Sequence, residues 1–193
     1  MSFFDAQFRR QIAAADYRLN PFEEAVIPFL HGSVLDLGCG LGNLSLAAAK
    51  RGAHVTALDA CPDAVADLNR RARETGLDVT AHAMDLRSWR PAALYDAVVA
   101  IGLLMFFASA DARSALSAMR GAVIPGGIVA VNVLVEGTTY LEMFDPRGFH
   151  LFAHGEVTDA FPGWTIELAR DDDFPAPGGL LKKFFTLVAR RPQ

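Results

Sequence analysis

The sequence has little cysteine, few histidines and no concentrated positive charge, and each shortage argues against a class of protein. The two cysteines, Cys39 and Cys61, are too few to form a disulfide framework. The five histidines form no cluster with metal-ligand spacing, so we expect no metal site. The net charge is −4 and the basic residues form no patch, which argues against a nucleic-acid partner.

Long hydrophobic runs are also absent. No apolar stretch reaches the length of a membrane span without Pro, Gly or a charge. The N-terminal "MSFFDAQFRRQIAAADY" lacks the apolar core of an export signal. We therefore expect a cytoplasmic protein with no membrane partner, either a monomer or a homodimer. What is present is 52% hydrophobic residues in a chain of 193, which favours one domain with a sizeable core.

Strand and helix patterns alternate along most of the chain. Strands are predicted at 33–38, 54–59, 78–85, 95–102 and 128–136, with helices between them and two more near the N-terminus. After a long connection and a short helix, strands at 164–170 and 183–191 should pair antiparallel, separated by a loop. This predicts an α/β fold with a Rossmann-like, doubly wound, seven-stranded sheet that is mostly parallel, with an antiparallel last strand and helices on both faces.

We interpret 1–193 as a single domain with three parts. Residues 1–30 would form a helical cap over the site, and residues 33–135 a cofactor-binding core. Residues 136–193 would supply the acceptor-side connection and the antiparallel end of the sheet.

A glycine-rich loop, "DLGCGLGN", follows the first predicted strand. Gly38, Gly40 and Gly42 allow a tight turn and a close approach of the backbone to a ligand. Dinucleotide enzymes use G-x-G-x-x-G, but the third glycine here comes one residue early. Asp36 would repel a pyrophosphate, whereas it suits a ligand with a cationic amino group. S-adenosylmethionine has an ammonium group and a sulfonium, and it has no phosphate.

Two further acids stand at the ends of the next two predicted strands. Asp59 can accept hydrogen bonds from both ribose hydroxyls, and Asp85 can accept one from an adenine amine. Either acid alone has an ordinary structural explanation such as a helix N-cap, but their order along the chain favours an adenosyl ligand. The predicted cofactor-binding residues are Asp36, Gly38, Cys39, Gly40, Gly42, Asp59, Ala60, Asp85, Leu86, Ile101 and Gly102.

The segments "VLDLGCGLG", "VTALDA", "AMDL", "YDAVVAIGLLMFF" and "IPGGIVAVNVLV" resemble successive motifs of class I S-adenosylmethionine-dependent methyltransferases. Within that family the chain is most similar to the tellurite-resistance methyltransferases. The similar features are "LMFF", the terminal "FFTLVARR", Tyr17, Phe152, Glu156 and Trp164. The resemblance implies methyl transfer from S-adenosylmethionine, with S-adenosylhomocysteine as product, to a small molecule. A chalcogen oxyanion such as tellurite or selenite is one acceptor that it suggests.

The connection between the last two strands departs from that subfamily. There the subfamily carries a His-Arg pair and more basic residues, proposed to bind the anionic substrate. The sequence here is "DDDFPAPGGLLKK", which is acidic at its start and retains only Lys182 and Lys183 as cations. The identity of the acceptor therefore stays open.

The acceptor is expected over the methyl group, near the ends of the fourth and fifth strands. The predicted substrate-binding residues are Tyr17, Arg18, Met105, Phe106, Tyr140 and Phe149, although such residues are as readily plain core. His150, His154 and Tyr17 are candidates for a base or an acceptor contact. No catalytic residue is assigned, because methyl transfer needs a base only when the nucleophile must lose a proton.

Two alternatives remain open from the residues alone. A non-catalytic protein that binds S-adenosylmethionine or S-adenosylhomocysteine would use the same binding residues. A nicotinamide-dependent oxidoreductase shares this type of sheet, but the glycine spacing, Asp36 and the lack of a Tyr-x-x-x-Lys pair disfavour it.

Overall fold

The computed structural model describes residues 3–14, 16–146 and 148–193, with side chains described from residue 8 onward. The helices are α1 (Phe3–Ala14), α2 (Pro21–Val26), α3 (Asn43–Lys50), α4 (Pro62–Thr75), α5 (Ser109–Gly121) and α6 (Glu156–Asp159). The strands are β1 (Ser33–Leu37), β2 (His54–Asp59), β3 (Val79–Ala83), β4 (Tyr95–Ile101), β5 (Val123–Leu134), β6 (Thr165–Ala176) and β7 (Leu180–Arg190). In these described ranges, no helix combines the length and apolar character that crossing a membrane requires.

The seven strands form one sheet in the order β3-β2-β1-β4-β5-β7-β6. Strands β1 to β5 are parallel, and β7 lies antiparallel between β5 and β6. This confirms the predicted fold class. The direction of winding reverses between β1 and β4, and ligands of open α/β sheets bind beyond the carboxyl ends of the strands at such a point.

Two hydrophobic cores lie on opposite faces of the sheet. Within β4, Val98 and Ala100 belong to one core, and Ala97 and Val99 to the other. Helix α5 packs into the first core, while α2, α3 and α4 pack into the second. The uninterrupted apolar sequence of β4 follows from this, because a strand covered on both faces has no solvent-facing side.

The final hairpin is longer than the sequence predicted. The segment 171–179 was expected to be a loop, but β6 continues to Ala176 and the turn is confined to Pro177–Gly179. Asp173 pairs with Lys183 across the two strands. Acids and proline are tolerated there because β6 lies at the edge of the sheet, where one side of the strand faces solvent.

The longer hairpin supports the N-terminal segment at the carboxyl edge of the sheet. Leu134, the last residue of β5, pairs with Phe184, so the hairpin extends beyond β5. The ring of Phe22 from α2 lies 4.6 Å from that of Phe184 and 5.5 Å from that of Phe174. Asn20 caps α2 through a capping box with Glu23, which fixes the entry of this helix.

Candidate cofactor and acceptor site

A cavity of about 780 Å³ lies at the carboxyl edge of the sheet, where the winding reverses. Its lining residues are Phe8, Gly38, Asp59, Ala60, Cys61, Asp85, Leu86, Arg87, Gly102, Leu103, Phe106, Phe107, Met143 and Asp145. Six of the predicted cofactor residues are among them, together with one predicted acceptor residue, Phe106. The cavity falls within the size range of small-molecule sites, about 300–1,000 Å³.

The glycine loop is held by the end of the neighbouring strand. The amides of Gly38 and Cys39 donate to the carbonyl oxygen of Leu58, at 2.8 and 3.1 Å. The Gly40 amide donates to Oδ2 of Asp59 at 2.8 Å. The loop after β1 and the acid at the end of β2 therefore form one hydrogen-bonded unit.

Asp59 is held from both sides. Its second oxygen, Oδ1, accepts from the Cys61 amide at 2.8 Å. The residue is 9% exposed, and it borders the cavity. Two backbone amides thus fix the orientation of a nearly buried carboxylate beside the space where a ligand would lie.

Asp36 lies behind the loop and does not border the cavity. It is 4% exposed, and Oδ2 accepts a hydrogen bond from Ser45 Oγ at 2.6 Å. Burial raises the pKa of Asp36 to about 6, while the Ser45 hydrogen bond opposes the rise and the charge of Asp59 adds to it. Burial also raises the pKa of Glu23 to about 7, and the charge of Asp36 contributes. The sequence analysis did not place Glu23 near Asp36, because this proximity depends on how α2 packs against the sheet.

The buried charge of Asp36 leads to a stability prediction. Because its pKa rises from 3.8 to about 6 on folding, ionisation costs stability as the pH rises through this window, and the cost is complete above about pH 6. We expect Asp36→Asn, which keeps an acceptor for Ser45, to raise the free energy of unfolding at pH 8 by up to about 3 kcal/mol. The gain should fade towards pH 4. Urea denaturation of the variant and the wild type at pH 8 and pH 4 measures this difference in the free energy of unfolding.

Asp85→Asn is the matched control for this prediction. The Arg87 hydrogen bond lowers the pKa of Asp85, so removing that charge should give no gain at pH 8. A stability of Asp36→Asn equal to that of the wild type at both pH values would contradict the account.

Asp85 is paired with a neighbouring cation. Its carboxylate accepts from the Arg87 guanidinium, with the shortest N···O distance 2.7 Å, and its side chain is 54% exposed. Oδ1 also accepts from the Arg87 amide and caps the short 3₁₀ helix Leu86–Ser88. The sequence missed Arg87, although it stands two residues after the acid. An adenine amine at Asp85 would share this carboxylate with Arg87.

The other predicted cofactor residues lie outside the lining. They are Asp36, Cys39, Gly40, Gly42 and Ile101. Gly42 is the N-cap of α3, and Cys39 packs against the second hydrophobic core. These residues shape the loop from behind, whereas Gly38 and Gly102 border the cavity.

Tyr17 and Arg18 lie beside the glycine loop but do not line the cavity. The Arg71 guanidinium lies 3.9 Å from the centre of the Tyr17 ring. Arg18 pairs with Asp16, and its carbonyl oxygen accepts from Asn43 Nδ2 at 3.2 Å. The segment is therefore held against α3 and α4 through these contacts.

Three predicted acceptor residues gather in one apolar cluster next to the cavity. Met105 is buried there, with Phe106 and Phe149 packed against it. The ring of Phe144 lies 4.8 Å from that of Phe149, stacked, and 5.1 Å from that of Phe106. Tyr140 lies apart from this cluster, under the Lys182 ammonium at 4.5 Å.

The two histidine candidates are placed elsewhere. His150 Nε2 lies 3.0 Å from Oε1 of Glu156, which also accepts from Arg113 Nε at 2.7 Å. The His150 amide donates to the Met105 carbonyl at 3.0 Å. His154 is exposed and lines two other clefts. Neither histidine borders the cavity, and neither does Tyr17.

The sequence missed part of the lining. The additional residues, none of which is among the predicted cofactor-binding or substrate-binding residues, are Phe8, Cys61, Arg87, Leu103, Phe107, Met143 and Asp145. A Cβ built on Gly40 would lie 3.0 Å from the Phe8 ring, so α1 approaches the glycine loop directly. Phe4, Phe8 and Ile12 have the four-residue spacing of an apolar helix face, but the side chain of Phe4 lies outside the described residues. Among described residues, no group of three or more His, Cys, Asp or Glu is arranged to hold a metal.

Comparisons with known proteins agree with this arrangement. The methyltransferase domain family matches residues 34–127. The ubiquinone biosynthesis O-methyltransferase of Xylella fastidiosa (strain 9a5c) is 30% identical over 139 residues, which is 65% of this chain and 55% of that protein. The chain thus spans a little over half the length of this curated relative.

Solved structures show the same fold. TehB from Haemophilus influenzae matches with a TM-score of 0.75 at 23% identity, covering 87% of this chain and 60% of that one. The N-methyltransferase NodS from Bradyrhizobium japonicum WM9, solved with S-adenosyl-L-homocysteine, matches with a TM-score of 0.72 at 19% identity. That match covers 98% of this chain and 99% of that one.

Proposed function

We propose that the chain transfers a methyl group from S-adenosylmethionine to a small-molecule acceptor; its motifs and the match of residues 34–127 to the methyltransferase domain family support this. The observation that carries the proposal is the nearly buried Asp59 carboxylate, fixed by two backbone amides between the glycine loop and the cavity. The family match also supports S-adenosylmethionine as the cofactor, as the sequence predicted.

The residues present fit this cofactor. Gly38, with a φ of +71°, lacks a Cβ where one would lie 2.9 Å from Leu103, so backbone and not a side chain faces the ligand. Asp59 would accept the ribose hydroxyls, and Ala60 and Leu86 would flank the adenine. Asp36, with a raised pKa beneath the loop, suits a nearby ammonium group better than a pyrophosphate.

Methyl transfer depends mainly on the positioning of the two reactants. When bound, S-adenosylmethionine supplies a methyl carbon made electrophilic by its sulfonium. Asp59 and the glycine loop would hold the cofactor, and the rings of Phe8, Phe106 and Phe107 would exclude water from the other side of the cavity. No histidine or lysine is present among the described lining residues, and the carboxylates of Asp85 and Asp145 remain as groups that could accept a proton there.

The resemblance suggested an oxyanion acceptor, but the positions of the two lysines give this acceptor little support. Lys183 lies 3.5 Å from Asp173 and lines a different cleft. Lys182 lies over the Tyr140 ring. The cations that the sequence offered for an anionic substrate are therefore both directed elsewhere.

Acceptor-dependent release of S-adenosylhomocysteine tests the proposed function. The purified protein is incubated with S-adenosylmethionine and, separately, small amines, thiols, phenols, selenite and tellurite. We expect at least one acceptor to raise product release well above the rate without acceptor. Binding of S-adenosylmethionine with no acceptor-dependent release across the panel would favour the non-catalytic alternative.

A further inference from the structure

We propose that the guanidinium of Arg87 binds the adenine ring of the cofactor by stacking on its face, and that Asp85 is the positioning residue that holds this guanidinium in place. The inference rests on the proposed methyltransferase function and adds a binding residue to its cofactor site. It starts from the hydrogen bonds of the short segment that follows β3.

Asp85 and Arg87 form a bidentate ion pair beyond the carboxyl end of β3. Nε of Arg87 donates to Oδ1 of Asp85 at 3.0 Å, and Nη2 donates to Oδ2 at 2.7 Å. Two parallel hydrogen bonds of this kind align a guanidinium with a carboxylate. The N–H groups of a guanidinium lie in its own plane, so the pair orients the plane and leaves the two faces available for stacking.

The backbone around this pair is also fixed. Oδ1 of Asp85 accepts from the Arg87 amide at 3.1 Å, and Ser88 Oγ donates to the Asp85 carbonyl oxygen at 2.9 Å. Leu86–Ser88 is the 3₁₀ helix that Asp85 caps. The acid and the arginine therefore belong to one hydrogen-bonded turn, and a ligand that packs on this turn has little conformational freedom to remove.

Asp85 has little capacity left for a direct contact with the adenine amine. Each oxygen of a carboxylate offers about two lone-pair sites. The amide and Nε of Arg87 use both sites on Oδ1, and Nη2 uses one on Oδ2. We therefore expect the carboxylate to act on the base mainly through the arginine.

Arg87 is placed to contact the base and not the acceptor. Asp85 and Arg87 both border the cavity, and the Arg87 side chain is 66% exposed. In the sheet, β3 is separated from β4 by β2 and β1, so the ends of β3 and β4 lie about 14 Å apart. The acceptor is expected beyond β4, whereas the adenine is expected beyond β3, beside Leu86.

A guanidinium plane is a suitable partner for a purine. It is flat and weakly hydrated, and cation–π attraction adds to the burial of the two faces when it stacks on an aromatic ring. RNA-binding proteins stack unpaired bases on arginine in the same way. Because every purine has such a face, stacking tolerates changes in the groups at the ring edge, whereas a hydrogen bond from the adenine amine does not.

Calorimetric titration of arginine variants with S-adenosylhomocysteine tests the contact without turnover. We expect Arg87→Ala to weaken binding at least fivefold. Arg87→Lys keeps the charge but loses the plane, so its affinity should remain at least threefold below that of the wild type. Arg90→Ala is the matched control, because Arg90 is an exposed arginine of the same loop outside the cavity lining, and its affinity should not change. Wild-type affinity in either Arg87 variant would overturn the proposal.

A double-mutant cycle tests the role of Asp85. Asp85→Asn keeps an acceptor for the Arg87 amide but loses the bidentate ion pair. If Asp85 acts by holding the guanidinium, this change should weaken binding of S-adenosylhomocysteine at least threefold in the wild-type protein and should have no effect in Arg87→Ala. Equal losses in the two backgrounds would show that Asp85 contacts the base directly and is not a positioning residue.

S-inosylhomocysteine, in which an oxo group replaces the adenine amine, separates stacking from a contact at the ring edge. Arg87→Ala should weaken the binding of this ligand and of S-adenosylhomocysteine by the same factor, within twofold. A loss confined to S-adenosylhomocysteine would contradict stacking. So would a wild-type protein that binds only S-adenosylhomocysteine, because the amine would then be the dominant contact.

The order of measurements separates this inference from the proposed function. S-adenosylhomocysteine is titrated into the wild-type protein first, and failure of this ligand to bind would contradict the proposed function itself. If it binds and Arg87→Ala leaves its affinity unchanged, only the stacking contact is wrong.

Discussion

Gly42→Ala is expected to lower the free energy of unfolding by about 2–5 kcal/mol and to abolish tight cofactor binding. Gly42 has a φ of +69°, which costs a residue with a Cβ about 1–2 kcal/mol. The added Cβ would also lie 2.3 Å from Leu68, whose side chain is fully buried in α4. Relief of that overlap costs about 1–3 kcal/mol more, because Leu68 is fully buried and its shift would disturb the packed side chains around it.

The variant Gly76→Ala separates the cost of backbone strain from the cost of the overlap with Leu68. Gly76 has a φ of +64°, but a Cβ there would meet nothing within 4 Å. This variant should therefore show only the backbone strain, about 1–2 kcal/mol, with cofactor binding intact. Urea denaturation and calorimetry compare the two variants, and equal losses of stability would show that the contact with Leu68 contributes nothing.

Asp59→Ala is expected to weaken the binding of S-adenosylmethionine at least tenfold, or about 1.4 kcal/mol. The variant loses the acceptor proposed for the ribose hydroxyls, and a charge-assisted hydrogen bond contributes about 1.5–3 kcal/mol. It also leaves the amides of Gly40 and Cys61 without their carboxylate acceptor, so the loop itself should loosen. Calorimetry on protein shown to be folded by circular dichroism measures the change.

Asp63→Ala is the matched control for Asp59. Asp63 lies four residues further on, in the first turn of α4, and its exposed carboxylate pairs with Arg9 at 3.2 Å. It does not border the cavity, so its removal should leave the affinity unchanged. A folded Asp59→Ala protein with wild-type affinity would remove Asp59 from the site.

The sequence predicted those features that depend on local chain geometry. The conformation of Gly38 is set by its own backbone, and Asp59 is the last residue of a strand whose end must lie at the edge of a parallel sheet. The alternation of strands and helices likewise predicted the doubly wound sheet. The long hairpin was missed because the acids of 171–173 form a strand only at the sheet edge, and that position is a tertiary property.

The acceptor half of the site was predicted less well. Phe106 borders the cavity, but Tyr140 lies beneath Lys182, and His150 is held by Glu156. Aromatic residues serve equally in a core and in a pocket wall, so their sequence spacing does not separate the two. Phe8 reaches the site only because α1 packs across the glycine loop, a contact between segments distant along the chain.

Separate calorimetric titrations with S-adenosylmethionine, S-adenosylhomocysteine and NAD test the central claim most directly. The early third glycine and Asp36 favour a ligand without a pyrophosphate, and the fixed Asp59 favours a ligand with ribose hydroxyls. We expect both sulfur-containing ligands to bind and NAD to give no measurable heat of binding. Tight binding of NAD, with no response to either of the other two ligands, would contradict the account.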